Sequence, residues 1–323
     1  MLGADDEADL ANAVDLLYRG RLVAVPTETV YGLAADASND EAVVSVFEAK
    51  GRPKTHPLIV HVADVNHARM LSRNWTPSAE VLARAYWPGP LSILTERTNE
   101  VSPLVTGGRD TVVVRVPDHP ATLRLLNALH IRGSVGIAAP SANRFGSISP
   151  TTAEHVLSDL DGRIDAILDG GACRVGVEST IVDCTKEPAA ILRPGGVSVE
   201  DISACLAEHG LAVVVSDDIS GTVDTEKAVA PGMLRSHYAP QTRLLVFSTQ
   251  AEVDDAQREA EARGKRVAVL PHDDDSYEYS RNLYSSLRRC DDQGVDLIIG
   301  LLPRPSGLGA AVRDRLLKAA AER

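Results

Sequence analysis

The chain has 323 residues, roughly twice the length expected of one domain, so we expect two moderate domains. Hydrophobic residues make up 44% and charged residues 24% of the sequence, which excludes a wholly disordered chain and suits two buried cores. The net charge of −12 repels phosphate backbones and disfavours stable, direct binding of tRNA or other nucleic acid.

Neither a metal-binding nor a membrane-spanning segment is predicted. The four cysteines have no Cys-x-x-Cys pair or zinc-ligand spacing, so they are expected to be reduced thiols. The N-terminus is acidic where a secretory signal would be basic and then apolar, and apolar runs such as residues 297–302 are too short to cross a bilayer. We therefore expect a cytoplasmic protein with no protein-held metal.

Strands and helices alternate through the first 213 residues. Leu10, Val14 and Leu17 recur at helical spacing, and a second helix is predicted over residues 40–50, ended by Gly51. Further helices are predicted near residues 78–86 and 121–129, and strands at residues 22–25, 58–62, 91–95, 111–116, 136–138, 166–168 and 180–182. This pattern predicts a mixed α/β domain over residues 1–213.

The apolar periodicity fades after that domain. Residues 214–240 are polar and interrupted by glycine and proline, which predicts a linker. Beyond it, strands are predicted at residues 244–247, 266–270 and 295–299, and helices at residues 251–262, 280–290 and 310–321. Residues 241–323 are therefore expected to form a smaller three-layer α/β domain.

Positive charge gathers just after the helix predicted over residues 40–50. Lys50, Arg52 and Lys54 are followed by His56 and His61. A solvated basic loop next to a helix C-terminus is one interpretation. Two prolines restrict the backbone here, so we favour a fixed group of cations that binds a polyphosphate.

Polar side chains also follow two predicted strands. Thr27 and Thr29 come after residues 22–25, where they either cap the next helix or face a ligand. Residues 137–156 run from a strand through Ser141 and Asn143 to a helix, which could make an anion site from backbone N–H groups. The alternative there is simple N-capping by Ser149 or Thr151.

Two shorter segments, residues 176–183 and 191–198, each place polar groups beside a buried strand. Glu178 could be a buried ion-pair partner, Ser179 a ligand contact and Arg193 a second phosphate contact. An arginine before Pro-Gly is more often part of a surface turn. The chain lacks a P-loop, a His-Glu-x-x-His motif, a G-x-S-x-G elbow and a complete dinucleotide fingerprint, so the usual signatures do not account for these clusters.

Eight motifs follow one another along the chain: PTETVYGL, KGRPKTHPLIVHV, WPGPL, APSAN, GVESTIVD, LRPG, APGMLRSHYAP and LPRPSGLGAAVRDRLLKA. Taken together and in this order, they resemble the threonylcarbamoyl-AMP synthase family, in its two-domain form. The resemblance covers nearly the whole chain and implies a YrdC-like twisted mixed sheet with helices, followed by a Rossmann-like C-terminal domain.

The resemblance implies an enzyme that converts L-threonine, bicarbonate and ATP, with Mg²⁺, into threonylcarbamoyl-AMP, pyrophosphate and water. The product would supply tRNA threonylcarbamoyltransferase proteins that make N6-threonylcarbamoyladenosine. By motif, ATP would face Arg52, His56, Ser141, Ser149 and Arg193, with Lys50 and Asn143 completing the K-x-R and S-x-N pattern and His237 and Tyr238 contributed by the linker. Lys50 and Arg52 would be the catalytic cations, and threonine would be held by Thr29, His61, Arg115, the backbone of Ala139, and Ser179.

One position departs from the family pattern. The family usually carries asparagine where this chain has His56, and because imidazole can titrate near neutrality, an altered pH dependence is expected.

The linker is interpreted as a lid that closes over nucleotide, with a simple tether as the alternative. Two other functions share the YrdC-like domain: binding of double-stranded RNA, and carbamoyl transfer in enzyme maturation, which would bring an acylphosphatase-like domain and zinc-finger cysteines.

Overall fold

One large sheet with helices around it forms the N-terminal part of the chain. The computed structural model describes residues 1–216, 230–232 and 237–321. The strands of this part are β1 (Leu2–Gly3), β2 (Val23–Val25), β3 (Gly32–Asp36), β4 (Ile59–His61), β5 (Ser72–Asn74), β6 (Leu91–Arg97), β7 (Thr111–Arg115), β8 (Ile137–Ala138), β9 (Ala166–Asp169), β10 (Thr180–Asp183), β11 (Ala189–Arg193) and β12 (Val213–Val215). The helices are α1 (Glu7–Tyr18), α2 (Asp40–Lys50), α3 (Val65–Met70), α4 (Pro77–Tyr86), α5 (Pro120–Ile131), α6 (Ala153–Leu160) and α7 (Val199–Ala207).

The sheet contains both parallel and antiparallel strand pairs. The strand order is β1-β9-β2-β3-β8-β4-β7-β6-β10-β11-β12, with β5 paired to β6 outside this path. The pairs β4–β7 and β6–β10 are parallel, whereas β3–β8 and β6–β7 are antiparallel. In the β4–β7 register His61 lies opposite Arg115. The predicted mixed α/β domain is confirmed, and two candidate threonine contacts become neighbours.

Local sequence signals position the basic loop, which carries Arg52, Lys54 and His56. The side chain of Asn39 accepts hydrogen bonds from Glu41 N and Ala42 N, which caps α2. Gly51 follows in the left-handed region at φ 66°, a conformation that glycine adopts without strain and that stops the helix. The predicted bounds of this helix are confirmed, and its end carries Lys50 and Arg52 toward the centre of the sheet.

The C-terminal part is a second, smaller α/β unit. Its elements are β13 (Leu244–Phe247), α8 (Gln250–Ala262), β14 (Val267–Val269), α9 (Ser276–Asp292), β15 (Leu297–Leu301) and α10 (Leu308–Ala320). The three strands are parallel in the order β13-β15-β14. Parallel strands joined by helices are the arrangement that the alternating sequence pattern predicted.

Several local predictions were incomplete or wrong. Strand β3 was missed, because its sequence GLAAD is small and fully buried and shows no polar alternation. The side chain that caps α6 is Thr152, not Ser149 or Thr151. Strand β12 pairs in parallel with β11 and ends at Val215, two residues beyond the predicted domain end at residue 213. Most of the predicted lid falls on residues 217–229 and 233–236, which lie outside the described residues.

Apolar side chains join the two parts. One buried cluster contains Val30 and Val177 from the first part together with Tyr284 and Leu316 from the second. Burial of apolar surface is the main favourable term in such packing, so α9 and α10 are docked on the larger sheet by more than polar contacts. Among the described residues, no helix has the length and apolar character needed to cross a membrane.

Candidate active site

A cleft opens between loops of the large sheet and residues 231–232 and 237–238, and it encloses about 560 Å³ including its solvent-open mouth. Ten of the predicted site residues line it: Thr29, Arg52, His61, Arg115, Ala139, Ser141, Ser179, Arg193, His237 and Tyr238. His56 lines a small adjoining cavity with Arg52, Phe145 and His237. Lys50, Asn143 and Ser149 line neither space.

Lys50 supports the loop after β8 from behind the cleft. Its Nζ donates to the carbonyl oxygens of Ser141 and Asn143, both at 2.5 Å. Burial, followed by the charge of Arg52, holds the pKa of Lys50 well below its ordinary value. Asn143 in turn donates from Nδ2 to Arg144 O and Ser147 O, each at 2.8 Å. In this structure Lys50 and Asn143 therefore shape the loop that presents Ser141.

Arg52 is buried and only partly satisfied. Its Nη2 donates to Pro57 O at 3.1 Å, while its Nε has no hydrogen-bond partner among the described residues. Burial lowers its pKa to about 10, and the like charge of Arg193 adds to the effect. The guanidinium is still charged at neutral pH. A buried cation with an unused donor beside a cleft is suited to an anionic ligand.

The histidines of the site are neutral. Burial, and then the charges of Arg52 and Arg109, lower the pKa of His56 to about 4, so the expectation that His56 titrates near neutrality is wrong. Burial, and then Arg115, lower the pKa of His61 to about 3. His56 Nε2 and His61 Nδ1 are buried without a hydrogen-bond partner among the described residues. Both rings can accept or donate a hydrogen bond without adding charge.

Arg115 is held in place by a carboxylate that sequence analysis did not single out. Arg115 Nη2 lies 2.6 Å from Glu28 Oε1, and the two side chains are 4% and 1% exposed. The geometry is poor for a hydrogen bond at these two atoms, so the contact is best described as an ion pair. Arg115 also donates to Thr29 Oγ1 at 3.0 Å and to Gly89 O at 3.1 Å. Glu28 lies inside the PTETVYGL motif, which was the available signal.

Arg193 and Ser179 form the opposite wall. Arg193 Nη2 donates to Ser179 O at 2.8 Å and to Ser179 Oγ at 3.2 Å, and its Nη1 donates to Pro231 O at 3.0 Å. Ser179 Oγ also lies 2.7 Å from the hydroxyl of Ser92, a residue that sequence analysis missed. Burial lowers the pKa of Arg193. Arg193 is thus a buried residue of the cleft and not part of a surface turn.

Residues 231–232 and 237–238 cover one side of the cleft. Tyr238 has a φ of 62°, which is uncommon for a residue other than glycine, and its ring packs at 4.1 Å from that of His237. A side chain at Gly232 would meet the Tyr238 hydroxyl at 2.5 Å, so only glycine allows this approach. The strained backbone at Tyr238 is a feature that clusters at functional sites.

Buried neutral histidines predict how stability changes with pH. The unfolded chain binds protons at these histidines below pH 6.5, whereas folded His56 does so only near its pKa of about 4. The stability that they contribute is present above pH 6.5 and is lost as the pH falls toward 4. We expect the free energy of unfolding, measured by urea titration, to fall over pH 6.5 to 4.5 and to fall less steeply in His56→Asn, by up to about 1.4 kcal/mol per pH unit.

The exposed His209, at the end of α7, is the matched control for that experiment. His209→Asn is expected to keep the slope of the unmodified chain. Equal slopes in all three proteins would contradict the neutral, buried state assigned to His56.

The fold and the cleft define a two-domain α/β protein whose site gathers three buried arginines for an anionic ligand. Residues 15–195 match the family described as telomere recombination, which groups Sua5, YciO and YrdC, and residues 197–321 match threonylcarbamoyl-AMP synthase, C-terminal domain. The chain belongs to the threonylcarbamoyl-AMP synthase family. The predicted family, its YrdC-like and Rossmann-like fold and its enzyme class are thereby confirmed.

Relatives match over nearly the full chain. Threonylcarbamoyl-AMP synthase of Pyrococcus abyssi is 40% identical, covering 98% of this chain and 96% of the relative. That of Bacillus subtilis is also 40% identical, covering 98% and 94%. The crystal structure of P. abyssi Sua5 complexed with L-threonine has a TM-score of 0.90 and 39% identity, covering 98% of this chain and 95% of that one. Full-length HypF, at 20% identity and a TM-score of 0.51, shares the fold alone.

Proposed function

We propose that this enzyme joins L-threonine, bicarbonate and ATP into threonylcarbamoyl-AMP and releases pyrophosphate. The observation that carries the proposal is the convergence of Arg52, Arg115 and Arg193 on one cleft, each of them buried. Family membership and the threonine complex of the P. abyssi relative support it. Three desolvated guanidiniums are suited to a substrate set that brings a triphosphate and a carboxylate.

The nucleotide is assigned to the half of the cleft that contains Arg52, Ser141 and Arg193. Arg52 and Arg193 are placed to stabilise negative charge on the phosphates, since both present buried guanidiniums to the same space. His56 extends this half into the adjoining cavity, and His237 and Tyr238 cover it. Lys50, Asn143 and Ser149 act from behind the surface, by holding the loops that carry the contacts.

Threonine is assigned to the half formed by Thr29, His61, Arg115 and Ser179. Arg115 provides the positive charge for the substrate carboxylate, and the Thr29 and Ser179 hydroxyls provide polar contacts. Ala139 donates its N–H to Ile59 O at 3.0 Å, so the carbonyl is the backbone group that it can offer. Assignment of the carboxylate to Arg115 places the threonine amine toward the nucleotide half.

The proposed chemistry needs charge stabilisation more than a protein base. The amine of threonine and bicarbonate first give a carbamate and water. A carbamate oxygen then attacks the α-phosphorus, and the bond to the bridging oxygen breaks so that pyrophosphate leaves. Negative charge grows on the leaving group, where Arg52 and Arg193 are assigned. Positioning of the two substrates in one enclosed cleft accounts for much of the acceleration.

Magnesium is proposed to arrive with ATP. Among the residues that the structure describes, no group of three His, Cys, Asp or Glu side chains could hold a metal ion. Glu178, which lines the cleft, is already paired with Arg315, and Glu28, which adjoins Thr29, is paired with Arg115. The described part of the chain therefore does not fit a protein-held magnesium ion, and phosphate oxygens and water would be the ligands of the ion.

The product is an activated carbamoyl adenylate, so the proposal includes downstream tRNA threonylcarbamoyltransferase proteins as its users. A cytoplasmic location follows from that partnership. The four cysteines are all free thiols, in keeping with a reducing compartment.

A pyrophosphate-release assay tests this function directly. We expect release from the full chain only when ATP, threonine and bicarbonate are all present, and omission of any one should reduce the rate to background. Pyrophosphate release that does not depend on threonine would reject the substrate assignment. Salt-sensitive retention of structured RNA without ATP turnover would instead identify a binding protein.

A further inference from the structure

Helix α10 of the C-terminal part inserts an arginine beneath the cleft. The Arg315 side chain is 0% exposed, and its Nε donates to Glu178 Oε2 at 2.7 Å. Its Nη2 donates to Pro194 O at 3.1 Å, and its guanidinium lies 5.0 Å from the centre of the Tyr238 ring. Arg315 thus contacts three segments at once, and each of them contributes residues to the cleft.

Glu178 connects Arg315 to residues of the larger domain. Its Oε1 accepts a hydrogen bond from Ser149 Oγ at 2.6 Å, and both of its oxygens accept from the Tyr284 hydroxyl, at 3.0 and 2.9 Å. Burial raises the pKa of Glu178, but Arg315 and Arg193 outweigh burial and lower it to about 2. The carboxylate is therefore ionised at neutral pH, and its three donors, Ser149, Tyr284 and Arg315, hold it in one orientation.

Three contacts of Arg315, with Glu178, Pro194 and Tyr238, lead to residues assigned to the nucleotide, and a fourth, with Asp314, stays within α10. Ser149 is reached through Glu178, and Tyr238 is covered directly. Pro194 follows Arg193 in the chain, so the bond to its carbonyl restrains the turn that carries this arginine. Of the threonine contacts, Thr29, His61 and Arg115 lie on strands and turns that Arg315 does not touch, and only Ser179 adjoins one of its partners, Glu178.

We propose that Arg315 is a positioning residue for ATP, and that the C-terminal domain thereby completes the nucleotide half of the active site. This inference rests on the proposed function. Arg315 does not line the cleft itself, so it acts through Glu178, Pro194 and Tyr238 and not as a catalytic residue.

Other contacts besides the Arg315–Glu178 ion pair also join the two domains. A second ion pair, between Arg288 and Asp159, joins α9 to α6 at 2.7 Å. It lies in a separate groove, and its side chains are 12% and 15% exposed. Apolar packing between the two parts adds to the docking. Asp159→Asn is therefore a matched control, since it weakens an interdomain ion pair whose residues do not line the cleft, keeps the side-chain shape, and leaves the bond from Arg288 to Ile148 O in place.

Steady-state kinetics of the full chain test the inference. Arg315→Met should raise KM for ATP by about ten- to hundredfold, the range expected for loss of charged hydrogen bonds, while KM for threonine stays within about twofold. Arg315→Lys keeps the charge opposite Glu178 but cannot reach Pro194 at the same time, so it should give an intermediate KM for ATP. Asp159→Asn should keep both KM values of the unmodified chain.

A double variant shows whether Arg315 acts through Glu178. Glu178→Gln should also raise KM for ATP, and the double variant Glu178→Gln/Arg315→Met should be no worse than Arg315→Met alone, because both changes break one connection. Additive effects would overturn the inference. Equal increases in both KM values, or the same ATP defect in Asp159→Asn, would also overturn it, because Arg315 would then serve domain docking alone.

Calorimetric titration of ATP separates this inference from the proposed function. Weaker ATP binding by Arg315→Lys than by the unmodified chain is expected whether or not threonine is turned over. Unchanged ATP affinity in a folded Arg315→Lys would reject the positioning role, while failure of the unmodified chain to use threonine would reject the proposed function. If Arg315→Met does not fold, Arg315→Lys and Glu178→Gln provide the same comparison.

Discussion

Replacement of Arg52 by alanine is expected to lower kcat/KM for pyrophosphate release by about 10²- to 10³-fold, equivalent to about 3–4 kcal/mol of transition-state stabilisation. The reason is the placement of Arg52. Its guanidinium is buried at the cleft, and its Nε has no hydrogen-bond partner among the described residues. Charge that develops on the leaving pyrophosphate would lose a desolvated cation in this variant.

Lys54 provides the matched control for Arg52. It belongs to the same basic loop, two residues further on, but its side chain is exposed. Lys54→Ala removes the same formal charge and should leave kcat/KM within about twofold, because exposed charges interact weakly through water. Similar losses in both variants would mean that only the overall charge of the loop matters. Full activity of an Arg52→Ala/Ser141→Ala variant would reject the site assignment itself.

Replacement of Arg115 by methionine is expected to lower the free energy of unfolding by about 3–5 kcal/mol, the usual range when one partner of a buried ion pair is removed. Glu28 would remain in a side-chain environment that is 1% exposed, without its cation. Urea denaturation of the full chain, without substrates, measures this effect. The same variant should raise KM for threonine, because Arg115 is the cation of the threonine half.

A second substitution separates these two effects of Arg115. Glu28→Gln in the Arg115→Met background removes the unpaired charge, so it should restore much of the lost stability without restoring threonine affinity. Recovery of both quantities would show that Arg115 only supports the fold. Failure to recover stability would show that the ion pair is not the source of the loss.

Much of the fold could be predicted because the sequence signals for its helices and strands lie close together in the chain. The bounds of α2 follow from a capping asparagine, apolar residues at helical spacing and a terminal glycine, all within 13 residues of one another. The three C-terminal strands are apolar runs separated by helices, so their existence was also predictable. Strand β3 could not be predicted, because its residues are buried on both faces of the sheet and so show no alternation of polar and apolar side chains.

The site could be predicted as a set of residues but not as a geometry. Charge and motif spacing singled out Lys50, Arg52, Ser141 and Asn143. Only the packed structure separates Arg52 and Ser141, which line the cleft, from Lys50 and Asn143, which hold the loop behind it. The direction of a side chain depends on neighbours distant in sequence, and Lys50 reaches carbonyl groups 91 and 93 residues away.

The sequence by itself determined the family, the order of the two α/β domains and the chemical character of the site, because these depend on residue types and short-range spacing. Tertiary structure alone decided which groups are charged and what holds them. Burial keeps His56 neutral, and Glu178 meets Arg315 across 137 residues. Desolvation and long-range ion pairing arise only when distant segments pack together, since a pKa depends on the folded surroundings of a group as well as on its residue type.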